Sequence, residues 1–135
     1  MSAADAQAWL VALGCLHFVQ LPAMSLLVRG PLRLKPELAK LSPISHRIVL
    51  LFIWGLMLLL LGLGGLLVAE SESAVRSSFG RGLSGLLAMF FGLRVLAQLW
   101  IYRIWPHGLR NRAMYYVFGS LYLFLATGYS LVAFS

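Results

Sequence analysis

Acidic side chains are scarce in this sequence: four Asp and Glu stand against eleven Lys and Arg. None of the four lies within the long apolar runs that fill the chain. A proton relay or cation pump in a membrane needs an intramembrane carboxylate, so the pattern of small proton-coupled multidrug exporters is not met. A metal enzyme lacks carboxylate and cysteine ligands. Cysteine is limited to Cys15, which rules out an internal disulfide. Within a span it is expected to be a small apolar packing residue. Charge of either sign is also low, at 11% of residues against roughly 25% in soluble domains.

What is present is hydrocarbon. Four runs cover Gln7 to Val28, Ile48 to Ala69, Leu83 to Trp105 (helical from about residue 78) and Ala113 to Phe134. At roughly 1.5 Å per residue, about 22 residues cross a hydrocarbon core of about 30 Å. The second run has no polar side chain apart from the indole N–H of Trp54. A soluble helix keeps one polar face, and a chain of 135 residues is too small to surround a helix that has none. The expected fold is all-α: one integral membrane domain, a transmembrane antiparallel four-helix bundle. The first run reads as a span rather than a cleaved leader, because Asp5 precedes it and no positive charge does.

The net charge of +7 does not point to nucleic acid, because the basic residues flank the spans. Arg29, Arg33, Lys35, Lys40 and Arg47 lie in the first connection, and Arg103, Arg110 and Arg112 in the third. Only Arg76 and Arg81 lie in the second. The positive-inside rule then sets both termini outside and the first and third connections in the cytoplasm. The cytoplasmic (inner) membrane of a bacterium is the expected setting.

Pro31, Pro36 and Pro43 break the first connection. A short helical turn from Pro36 is expected at the membrane surface, with Leu38 and Leu41 dipping inward. Ser45 is the expected cap of the second span and Asn111 of the fourth. Pro22 should kink the first span near Phe18. No internal repeat supports a repeat-built transporter.

The third and fourth spans carry the most pattern. Ser84, Ala88 and Gly92 make a small-residue ladder, and Arg94, Gln98 and Tyr102 a polar one, within one stripe. Leu86, Phe90, Leu93, Trp100 and Ile104 face the other way. Small residues admit a neighbouring helix and polar ones need partners in hydrocarbon, so the stripe is expected to face protein. In the fourth span Tyr115, Tyr122 and Tyr129 recur every seven residues, with Gly119, Ala126 and Ala133 between them. That is a helix seam whose hydroxyls need acceptors.

His17 and Gln20 share a face of the first span. With Arg94, Gln98, Tyr102, Tyr115 and Tyr122 they form the candidate ligand-binding set, in a cleft lined by Arg, Gln and Tyr. Arg94 has no carboxylate partner in any span, and a cation at span centre costs around 2.5–3.5 kcal/mol. It therefore looks for hydroxyls, carbonyls, a partner subunit or an anionic or carbonyl-bearing ligand. The leading expectation is a small non-enzymatic membrane protein, a subunit or accessory component that packs against other membrane helices and holds a lipid or apolar ligand. No nucleophile stands beside a base, no catalytic residue is assigned and no cofactor is expected. The runner-up is a redox anchor binding quinone or b-type haem. Its candidate haem ligands are His17, His46 and His107, although His17 and the other two fall at different depths. A transporter of anions or small solutes comes third.

Overall fold

The computed structural model describes residues 2–29, 34–101 and 108–135. Among these residues there are six helices and no strand. Four are long: α1 (Ala3–Arg29), α3 (Pro43–Ala69), α5 (Ser78–Ile101) and α6 (Leu109–Ala133). Two are short, α2 (Leu34–Ala39) and α4 (Ser71–Arg76), and each falls within a connection between long helices. Three helices among the described residues have the length and apolar character to cross a membrane: Pro43–Ala69, Ser78–Ile101 and Arg112–Ala133.

The side chains are sorted as lipid would sort them. Leu51 is 72% exposed, Phe52 76% and Trp100 83%, while His17 is 1% and Gln20 7% exposed. Large apolar groups point out and polar ones point in. In water this order would leave an apolar surface far beyond the few hundred Å² a soluble monomer carries. The chain is an integral membrane protein.

Local chemistry sets the helix ends. At the start of α1, Ser2 and Asp5 form a reciprocal cap: the Asp5 N–H donates to Ser2 Oγ (3.2 Å) and the Ser2 N–H to Asp5 Oδ2 (3.0 Å). Hydrogen bonds from Ser2 hold the Asp5 carboxyl below its ordinary pKa. It is therefore ionised at neutral pH, as suits a helix N-terminus. The cap of α3 is Ser42, one turn before the expected Ser45. Its Oγ accepts from the Ser45 N–H at 3.2 Å, with Pro43 occupying the first turn, where a missing N–H costs nothing. Ser42→Ala is expected to lower stability by about 1 kcal/mol, seen as a fall in the unfolding midpoint in detergent micelles; Ser45→Ala should leave it nearly unchanged.

The α6 cap also differs from expectation. Gly108 holds it with φ 146°, and Asn111 lies inside the helix. Only glycine enters that backbone region readily, and it turns the chain into the helix without a side-chain cap. The second connection holds α4, followed by Ser77 in extended conformation, whose Oγ accepts from the Gly80 N–H at 3.0 Å and caps α5. In the first connection a short helix forms, α2, beginning at Leu34 rather than Pro36; Leu38 is buried while Leu41 is not. Residues Tyr102, Ile104, Trp105 and His107 lie outside the described residues. Helix α1 runs unbroken through Pro22. Cys15 is exposed on its outer face, not packed against protein.

The most extensive packing is α5 on α6, then α1 on α3, with α1 also meeting α6 and α4. Glycine allows the α1–α3 approach. A Cβ added at Gly64 would lie 2.7 Å from His17 Cβ and 2.8 Å from the Gly14 carbonyl oxygen. A Cβ on Gly14 would meet the Gly64 carbonyl oxygen at 2.8 Å. Two backbones this close leave no room for a larger residue. Among the described residues α3 and α5 make no comparably extensive contact, and a gap remains between them.

Candidate functional site

The gap is a cavity of about 190 Å³. Helix α3 contributes Ile53, Leu56, Met57 and Leu60, and α5 contributes Phe90, Phe91 and Arg94. Behind them stand His17 and Gln20 from α1 and Phe118 and Tyr122 from α6. All four long helices therefore reach it near their midpoints. Its wall is apolar apart from His17, Gln20, Arg94 and Tyr122.

A stack of rings forms one side. Phe91, 1% exposed, lies near-parallel to Tyr129 (7° between planes, centroids 6.0 Å), to Tyr122 (22°, 6.3 Å) and to His17 (29°, 5.6 Å). The centroid distances fall in the range of attractive aromatic pairs. Sequence periodicity had put Phe90 on the outward side of α5; it is partly buried, edge-on to Phe91 (79°, 5.2 Å), and lines the cavity. Leu86, Leu93 and Trp100 are exposed as expected, and Ser84 is fully buried.

Hydrogen bonds then fix the polar groups. Tyr129 Oη lies 2.6 Å from His17 Nε2, and His17 Nδ1 lies 3.5 Å from Gln20 Oε1. A carbonyl oxygen only accepts, so the proton of a neutral imidazole sits on Nδ1 and the Tyr129 hydroxyl donates to Nε2. This places the Gln20 amide nitrogen on the far side. It is buried and has no hydrogen-bond partner among the described residues. Orphaned buried donors are uncommon, and leaving one unpaired costs about 1–3 kcal/mol. Arg94 donates to Tyr122 Oη at 3.0 Å and holds its guanidinium 5.0 Å above the same ring. One hydrogen bond leaves most of its five N–H donors for other partners.

The seven candidate residues thus divide. His17, Gln20, Arg94 and Tyr122 line one cavity. Gln98 and Tyr115 are buried together but outside it: Gln98 Nε2 donates to the Tyr115 carbonyl (3.3 Å), and the Tyr115 hydroxyl donates to the Gln98 carbonyl (2.8 Å). They fasten α5 to α6 and border a shallow groove with Tyr116 and Gly119. Tyr102 lies outside the described residues. Phe91, Phe118 and the α3 side chains were not singled out from the sequence; Tyr129 was legible only as a member of the tyrosine seam.

Among the described residues no three of His, Cys, Asp and Glu come together. His46 sits in the first turn of α3, 18 residues before the Gly64 that abuts His17 (64 − 46), or about 27 Å along the helix. These two imidazoles do not face one iron. His107, the third candidate, lies outside the described residues. Comparison with protein-family models, curated proteins and solved structures finds no match to this chain.

Proposed function

We propose that the protein is a small non-enzymatic component of a membrane that holds the polar end of a lipid or other apolar ligand between its helices. The observation that carries this reading is the cavity, apolar on most sides, lined by Arg94 and by Gln20, whose buried amide N–H has no partner among the described residues. Donors retained at such a depth are expensive unless something accepts from them.

The reading includes four antiparallel spans. Its support is that α1 matches α3 in length and turns its polar residues inward, with Phe18 and Val19 exposed. Pairings along the helices run in opposite senses: Gly14 with Val68 and His17 with Gly64 for α1 and α3; Gln98 with Tyr115, Arg94 with Tyr122 and Phe91 with Tyr129 for α5 and α6. The excess of Lys and Arg in the first and third connections favours termini outside, in a bacterial inner membrane. The apolar outer faces of α3 and α5 leave room for helices of a larger complex.

Protein extracted in mild detergent, then analysed by native mass spectrometry, is expected to retain one amphiphile. Arg94→Ala and Gln20→Leu should each retain markedly less of it. Wild-type protein that arrives empty, with no amphiphile restored on adding back membrane extract, would end this reading.

A further inference from the structure

The cavity offers donors and withholds acceptors. Gln20, among the lining residues, keeps a buried amide N–H without a partner among the described residues, its oxygen being taken by His17. Arg94 presents the guanidinium N–H groups that Tyr122 does not use, and arginine never accepts. Both His17 nitrogens are engaged, one by Tyr129 and one by Gln20. The complementary ligand group carries acceptors only.

Shape and size narrow the class. His17, Phe91 and Tyr122 present near-parallel rings to the cavity, a wall suited to a flat body. At about 190 Å³ the cavity is larger than the roughly 150 Å³ void that takes benzene. It has space for one substituted ring. Beyond it, the gap between α3 and α5 gives a tail a way out to the bilayer.

Depth separates neutral from charged acceptors. The lining residues sit near the midpoints of 24- to 27-residue helices, about 15 Å from either headgroup layer in a core of about 30 Å. A phosphate headgroup would have to leave water to reach them. A fatty acid would cross as an ion, or arrive protonated with an O–H that needs an acceptor, and both nitrogens of the lining histidine are already engaged. A planar dicarbonyl ring dissolves in hydrocarbon and needs neither.

We infer that the cavity takes the head of a quinone. One carbonyl oxygen accepts from the Gln20 amide, the other from Arg94, the ring lies along Phe91, and the tail leaves between α3 and α5. This rests on the amphiphile-binding reading above and names its ligand class.

The test uses the full chain in phosphatidylcholine nanodiscs, titrated separately with a short-chain benzoquinone labelled with ¹³C at its carbonyls and with palmitate. The expected result is saturable one-to-one quinone binding with the labelled carbonyl stretch moved to lower frequency, as hydrogen bonding requires. Gln20→Leu and Arg94→Gln should each weaken binding about tenfold. The infrared shift is read on wild-type protein, so it does not depend on either variant folding. Saturable palmitate binding without quinone binding would overturn the quinone assignment and leave the amphiphile reading intact. Binding of neither overturns both. Quinone binding with an unshifted carbonyl band overturns the donor assignment, and with it the inference.

Discussion

Gly80→Ala is expected to destabilise the protein more than any other single added methyl, by about 3 kcal/mol, the upper end of what overpacking costs. A Cβ at Gly80 would run into the backbone of Ala74, 2.5 Å from its Cα and 2.6 Å from its carbonyl carbon, and closer still to the carbonyl oxygen. A flexible side-chain tip would swing aside, but a helical backbone cannot. Either α4 lifts from α5 or the cap from Ser77 Oγ to the Gly80 N–H breaks. Because α4 also packs on α1, the displacement spreads to the Gln7–Ser71 contact (3.4 Å). Gly82→Ala is the control. Nothing lies within 4 Å of its added Cβ, and alanine gains roughly 0.5–1 kcal/mol over glycine inside a helix. Unfolding followed by circular dichroism in detergent distinguishes them: the midpoints should move in opposite directions, and equal midpoints would refute the packing described for α4.

His17→Ala is expected to cost about 3–5 kcal/mol, the range for removing a large buried ring. The imidazole is sandwiched beside Phe91 and Tyr129 and is fully buried. Its loss opens a void and strips the Tyr129 hydroxyl and the Gln20 carbonyl of their shared partner. Tyr129→Phe isolates the hydrogen bond from the packing. It keeps the ring and leaves His17 Nε2 without a donor, for about 1–3 kcal/mol. The double variant should lose less than the sum of the two, since both remove the same bond. Strict additivity in a double-mutant cycle would show that His17 and Tyr129 do not act as a pair.

Both residues were visible in the sequence, but their partnership was not. His17 stood out as a polar residue mid-span, and Tyr129 as the last step of a seven-residue ladder. They are separated by 112 positions, and nothing in one-dimensional spacing says which face of α6 meets which face of α1. By contrast Arg94 with Tyr122, and Gln98 with Tyr115, join neighbouring helices along one seam. There the ladders on both sides already carried the information. Phe90 shows the opposite failure. Its angle on α5 faces away from the polar stripe, yet a neighbour that does not close against α5 leaves it beside an internal gap.

The sequence by itself determined the solvent, the helices and the inward polar stripe, because each follows from the period and length of apolar residues along a single helix. It also determined that no carboxylate shares a span with Arg94 or lies in any other, since the positions of the four acidic residues settle that. Tertiary structure separated Gln98 and Tyr115 from the cavity residues. It alone created the cavity. A void exists only where two surfaces fail to meet, and whether α3 and α5 meet depends on how closely glycines let α1 draw α3 toward itself.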